Sequence, residues 1–461
     1  MDLIISLIAI FVVYYVVSFW GKRPRNFPPG PPRVPLLGTV LSMYSSSKSP
    51  QELLMHLADK YGPLTGLFLG ARPCVAVHGY DAVKHVLSRE DCSHRLDNFL
   101  TRARSFDKKL GILFADGNLW KEHRGFTIRH LRYFGFGKRS MEELIQEQIN
   151  MLIECLETRL ESCSDVVTTG ISIQDLIPAT TLNTLWTIMS GVQYHPEDPK
   201  FQELLYNVNE FFRNGNPTGG GVSVLPFLRF IPLLNSSYQK QIKSTKLLQD
   251  YIMVQEQLVI TCLDLFLGGS ETTSSALAFI FLYLLKFPDK QSKMKQEIRH
   301  IVGERRPTVE DATKLHYVQA FIHEVLRHAC VVPFTAPHVT SSDTQIYEYS
   351  IPKDTFLLIS IYSVLMDKAY WKDPQTFRPE RFLDEEGKFS KDEHLLIFGF
   401  GPRFCLGEPL ARNAMFLFLT TILQRFTCRL PLGHEEISMD HLQGLTMTPR
   451  PYKISLTRDS K

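Results

Sequence analysis

Residues 3–20 read LIISLIAIFVVYYVVSFW, eighteen positions without a charge. At about 1.5 Å per residue, a helix of that length nearly crosses the hydrocarbon core of a bilayer. Trp20 closes the run where an interfacial aromatic belongs. Lys22, Arg23 and Arg25 follow, which places the rest of the chain on the cytosolic side. A cleaved signal peptide would want a basic start and a small-residue cleavage site, and the run has neither. The expectation is a retained anchor over residues 1–21, then a basic and proline-rich linker over residues 22–38. The linker ends in FPPGPPRVPLLG, where proline fixes φ and removes donors, so it is a stiff, extended spacer.

From Gln51 onward the apolar positions recur with helical period near residues 51–60, 118–131, 140–161, 173–190, 198–213, 255–286, 289–302, 310–328 and 408–426. Short strand-like runs fall at 64–69, 73–78, 344–350 and 355–359. No repeat or composition break divides the chain after residue 50, so residues 39–461 read as one large, mainly α domain. The segment 258–287, LVITCLDLFLGGSETTSSALAFIFLYLLKF, is apolar on all faces, the pattern of a buried helix. Asp264 and GGSETTSS interrupt it, and its longest clean run covers only about 15 Å, too short for a second span. Two adjacent glycines cost a helix up to about 1 kcal/mol each relative to alanine. A local rule broken in the middle of a buried helix marks a functional site.

Composition narrows the class. The formal net charge of the 461 residues is +3, too small to argue for nucleic acid. Eight cysteines form no CxxC pair, which excludes a disulfide framework and points to a reducing compartment, and no clustered zinc ligands are visible. One cysteine stands apart, in FGFGPRFCLGEPLAR at residues 398–412. Cys405 precedes a helix start with Pro409 in its first turn. Free N–H groups at such a start stabilise a thiolate. Gly401 and Gly407 leave the backbone bare for a flat partner, and Arg403 offers a cation two residues away. This suits haem ligation, although a lone cysteine is more often a small buried hydrophobe.

The ten residues FGFGPRFCLG fit FxxGxRxCxG through Phe398, Gly401, Arg403, Cys405 and Gly407, and resemble the haem-thiolate signature of the cytochrome P-450 monooxygenases. Other segments agree in the family's order: WKEHR at 120–124, GGSETT at 268–273, ExxR in Glu324 and Arg327, PFTAPH ending at His338, and FRPERF at 377–382. The likeness is strongest to the animal microsomal branch. It implies a mainly α cytochrome P-450 fold with small β-sheets plus an N-terminal transmembrane helix. It implies haem b (iron protoporphyrin IX) ligated by Cys405, with propionates on Arg403, Trp120, Arg124, His338 and Arg95. Glu324, Arg327 and Arg381 would form a buried network shaping the cysteine loop. Thr272 and Glu271 would supply protons to dioxygen chemistry, and Leu113 and Phe114 would line the distal pocket. The implied partners are a small apolar substrate, O2, the endoplasmic reticulum membrane and an NADPH–cytochrome reductase that passes on electrons from NADPH. The reductase would dock on Lys121, Arg132, Lys138, Arg139 and Arg425. Two alternatives compete: a haem-thiolate isomerase or dehydratase that needs no reductase, and an inactive shortened product.

The second alternative arises at DYIMVQEQLVIT, residues 250–261. The resemblance implies a few tens of residues, including a helix, that are missing near 253–256. Without a turn residue between Tyr251 and Thr261, one continuous helix over 249–287 is expected.

Overall fold

The computed structural model describes residues 23–34, 37–40, 49–133, 135–136, 138–162, 169–215, 229–231, 236–251, 256–433 and 436–458. The expected anchor at 1–21 and the junction at 252–255 lie outside the described residues. The helices, in chain order, are α1 (Pro50–Tyr61), α2 (Tyr80–Ser88), α3 (Phe99–Ala103), α4 (Gly117–Tyr133), α5 (Arg139–Ser162), α6 (Leu176–Ser190) and α7 (Pro199–Asn214). They continue with α8 (Ser236–Tyr251), α9 (Glu256–Lys286), α10 (Pro288–Ile301), α11 (His316–Ala329), α12 (Ile361–Leu365), α13 (Lys368–Trp371) and α14 (Glu408–Arg425).

Local chemistry sets the boundaries. Ser49 accepts the Glu52 amide while Glu52 reaches back to the Ser49 amide, a capping box that opens α1. Asp198 caps α7 by accepting the Phe201 amide, with Pro199 at the first helical position. The all-round apolar α9 runs through the molecule and packs on α6, α11 and α14. It is the one described helix long and apolar enough to cross a membrane, but most of it is buried in the protein core. Phe281 of α9, Phe321 of α11 and Phe416 and Phe418 of α14 are fully enclosed in the main hydrophobic cluster. A second cluster joins the first half of α9 to α6 and α7.

A five-stranded sheet flanks the helices. Its order is β1 (Leu64–Leu69), β2 (Arg72–Val77), β7 (Phe356–Ile359), β4 (His338–Val339) and β3 (His94–Arg95). The β2–β7 pair is parallel, and β3 pairs antiparallel to β4 with Arg95 opposite His338. Two residues far apart in sequence are thereby brought to one sheet edge. Smaller two-stranded sheets pair β5 (Thr344–Ile346) with β6 (Tyr349–Ile351), β8 (Phe426–Arg429) with β11 (Ser455–Arg458), and β9 (His441–Leu442) with β10 (Thr448–Pro449).

Three expectations need correction. Residues 344–350 are not one strand but a hairpin, turned at Tyr347 with φ of +52°. The helix expected at 310–328 begins only at His316, behind a 3-10 turn at Val309–Thr313. Asp311 holds that turn by accepting the Thr308 amide and the Arg305 guanidinium. The segment 73–78 is a strand only to Val77. Of the expected 249–287 helix, the structure describes α8, which packs along α7, and then α9 from Glu256; the residues between them are those outside the description.

Candidate active site

A cavity of about 270 Å³ opens between α9, α4 and the loop that leads into α14. Cys405 lines it, exposed to the cavity. The loop is shaped by Gly401, whose φ is +69° and where a Cβ would lie 2.2 Å from the Leu87 carbonyl oxygen. Neither condition suits any other residue. A short 3-10 turn at Gly401–Arg403 follows, and the Cys405 amide donates to the Phe398 carbonyl at 2.9 Å. Burial pushes the Cys405 thiol up; the Gly407 and Glu408 amides and the Arg124 cation pull it down, while the Glu408 carboxylate adds to the rise.

Arg95, Arg124, Arg403, Trp120 and Leu113 also line the cavity. The three guanidiniums donate to main-chain carbonyls. Arg95 reaches Leu113 at 3.0 Å and Ala336 at 2.9 Å. Arg403 reaches Ser93 at 3.0 Å and Ala115 at 2.8 Å, and Arg124 reaches Phe404 at 2.6 Å. The Arg403 guanidinium lies 3.8 Å above the Trp120 ring. Burial pushes Arg403 down to about 10, with Asp116 opposing and Arg124 adding to the fall. Burial and the neighbouring Arg403 push Arg95 well down too. Like charges gathered in a half-buried wall, hydrogen-bonded only to carbonyls, are costly unless an anion joins them. A thiol on the same cavity, beside bare glycine backbone, completes a donor set that fits an iron porphyrin with two carboxylates. Among the described residues no group of three or more His, Cys, Asp or Glu side chains forms another metal site.

The structure does not place every expected side chain at the cavity. His338 is buried on β4 opposite Arg95, within hydrogen-bond distance of the Cys92 carbonyl at 2.8 Å, and does not line the cavity. Phe114 leaves the wall to Leu113 and lies under the Arg104 guanidinium, 4.9 Å from the ring centre. Thr272 lines the cavity and donates to the Gly268 carbonyl at 2.7 Å. Of the two glycines, only Gly268 faces open space. A Cβ on Gly269 would stand 2.7 Å from Leu185 Cδ2, so that glycine serves the packing of α9 on α6. Glu271 points away from the cavity wall. Its carboxylate accepts from Thr448 at 3.3 Å and Ser275 at 3.4 Å, and lies 3.6 Å from Arg213 of α7. Burial pushes it up from the ordinary carboxyl range, with Arg213 opposing.

On α11, Arg327 donates to Glu324 through Nε at 2.7 Å and Nη2 at 2.9 Å, with neither side chain exposed. Arg381 Nε donates to the same carboxylate at 3.0 Å, as does the Arg378 amide at 2.8 Å. Arg327 also donates to the Leu365 and Pro374 carbonyls, so the network ties α11 to residues 365–381.

Sequence reasoning missed the clasp at Asp264. This α9 carboxylate accepts the Ile112 amide at 2.6 Å and the Leu113 amide at 2.8 Å, and pairs with the Arg104 guanidinium. The loop it holds supplies the carbonyls of Leu113 and Ala115 to Arg95 and Arg403. An isolated charge in an apolar helix was its only signal.

Comparison with known proteins agrees with this geometry. The cytochrome P450 family profile matches residues 28–255 and 233–456. Farnesoate epoxidase of Bombyx mori is 34% identical over 490 residues, covering 97% of this chain and 98% of the relative. Cytochrome P450 2C38 of Mus musculus is 32% identical over 499 residues, covering 98% and 99%. Cytochrome P450 2M1 of Oncorhynchus mykiss is 34% identical over 478 residues, covering 95% and 93%. The chain belongs to the cytochrome P450 family, and is a monooxygenase of the oxidoreductase class whose family cofactor is haem iron. The alignments run longer than the 461 residues of the chain, so these relatives carry residues that it lacks.

Proposed function

We propose that the protein inserts one oxygen atom from O2 into a small apolar substrate, anchored by residues 1–21 in the endoplasmic reticulum membrane with its catalytic domain in the cytosol. The observation that carries this reading is the Cys405 thiol on a cavity walled by Arg95, Arg124 and Arg403, cations that hydrogen-bond only to carbonyls. Cys405 would hold haem b, and the three arginines and Trp120 its propionates. When bound, thiolate-ligated haem activates dioxygen with electrons that an NADPH-dependent reductase delivers.

The chain's own residues then divide the work. Leu113, Leu265, Ala276 and Val331 keep the distal side apolar and exclude water. Gly268 leaves the space beside the helix into which a small molecule fits. Thr272 holds a proton at Oγ1, within the cavity, and can redirect it from the Gly268 carbonyl to an incoming ligand. Glu271 stands one residue away but off the cavity, so it reaches Thr272 only after leaving Thr448 and Arg213. His338 fixes the strand that presents Arg95. Among the proposed reductase contacts, Arg425 ends α14, about 27 Å along the helix from its Glu408 start near Cys405, and so stands apart from Lys121 on α4.

The shortened-product reading keeps its place because of the split profile match, whose two runs overlap over residues 233–255, next to the junction. The experiment is turnover under 18O2 with NADPH and reductase, with farnesoate as the first substrate because of the Bombyx relative, followed by terpenoid, fatty-acid and xenobiotic panels. Product carrying one 18O atom, formed only with NADPH, is expected. Product rearranged without 18O and without NADPH would establish the isomerase instead, and no haem binding at all would establish the inactive product.

A further inference from the structure

The five cations Lys295, Arg299, Arg306, Arg425 and Arg458 line a second concavity, of about 1090 Å³, between α5, α10, the C-terminal end of α14 and β8. Among the described residues its acidic members are Glu157 and Glu304. Glu157 is taken by Arg458 at 2.9 Å. Lys295 donates to the Phe426 carbonyl at 3.0 Å. Arg299, Arg306 and Arg425 meet no carboxylate among the described residues, and all three are exposed to the cleft.

The walls are held from both sides. Gln424 Nε2 donates to the Gly303 and Arg305 carbonyls, each at 2.7 Å, and Gln146 Nε2 donates to the Pro307 carbonyl at 2.9 Å. Two side-chain amides thus fix the turn that carries Arg306 beside Arg299. Gln146, which borders the cleft, is 2% exposed and so holds this turn from the buried side. The site is distinct from the haem cavity, because it lies at the far end of α14 from Cys405.

We propose that this cleft binds a multiply phosphorylated ligand, its phosphates on Arg299, Arg306 and Arg425. Arginine forks match phosphate oxygens two at a time, and a concave basic wall concentrates anions. The same chemistry could come from a soluble polyphosphate ester or from a phosphoinositide headgroup.

The test uses the full-length haem-loaded protein in detergent, with calorimetric titration of inositol hexakisphosphate, of dioctanoyl phosphatidylinositol bisphosphate and of its unphosphorylated parent lipid. The comparison protein is Arg299→Gln/Arg306→Gln, whose reduced carbon-monoxide spectrum reports that it is folded. The expected result is saturable binding near one ligand per chain, weakening as salt rises. The double variant should bind at least tenfold more weakly with its spectrum unchanged. Tighter binding of the soluble phosphate supports the first source and tighter binding of the bisphosphate lipid the second. Absence of saturable binding to either, equal binding by the variant, or equal binding of the unphosphorylated lipid would overturn the proposal.

Discussion

Replacing Asp264 with alanine should loosen the haem pocket from its distal side. The carboxylate is 1% exposed and Arg104 is 4% exposed, so the change takes this partner from a buried guanidinium. Removing one member of a buried pair costs about 3–5 kcal/mol, most of it the uncompensated charge left behind. The Ile112 and Leu113 amides lose their acceptor as well, at about 1–3 kcal/mol each if they stay dry. These costs overlap, because the loop can relax toward water, so a total of about 4 kcal/mol is reasonable. At roughly 2.1 cal/mol/K per residue, 461 residues unfold with an entropy near 1 kcal/mol/K, so the melting temperature should fall by about 4 °C. The same loop supplies carbonyls to Arg95 and Arg403, so haem should also be lost faster to a haem-accepting protein such as apomyoglobin. Calorimetry and a haem-transfer assay read the two effects. Asp264→Asn/Arg104→Met should cost less than the sum of its single changes, since no charge is then left alone. A melting temperature within 1 °C of the parent, or strict additivity, would refute the clasp.

Three further outcomes follow from the same geometry. Thr272→Ala should keep its haem spectrum while product formation falls about 10²-fold and NADPH is diverted to peroxide; product per NADPH at the parent level would remove Thr272 from proton delivery. Arg327→Ala strands the fully buried Glu324 and should cost about 3–5 kcal/mol, read as a lower melting temperature and little recoverable haem protein; parent-like yield would mean the network is dispensable. Burial raises Glu271, so the folded protein holds its proton to higher pH than the unfolded chain does. The stability present below the ordinary carboxyl range is lost as pH rises through the raised value, and Glu271→Gln should flatten that decline in denaturant titrations run upward from the ordinary carboxyl range.

What could be read in advance follows from how local each signal is. The α9 helix was legible because its apolar residues lie all round a single continuous run, and Cys405 because its glycines and arginine lie within ten residues. Glu324, Arg327 and Arg381 were legible only through resemblance, since their hydrogen bonds join separate segments. Non-local pairings left little trace: β8 with β11, Arg213 with Glu271, and Asp264 with the 104–113 loop depend on where the chain returns. Helix α2 is short, and Ala82, Val83, Val86 and Leu87 bury one face without a long periodic run. The hairpin at Tyr347 hid because a strand-like composition continues through a left-handed turn that no glycine marks.

The central claim is that Cys405 presents its sulfur to haem iron in this chain, despite the short junction before α9. The most direct measurement is the reduced, carbon-monoxide difference spectrum of the full-length protein beside its Cys405→Ala variant. The account predicts a thiolate-type band in the parent and its loss in the variant. A parent without that band, or a variant that keeps it, would contradict the account.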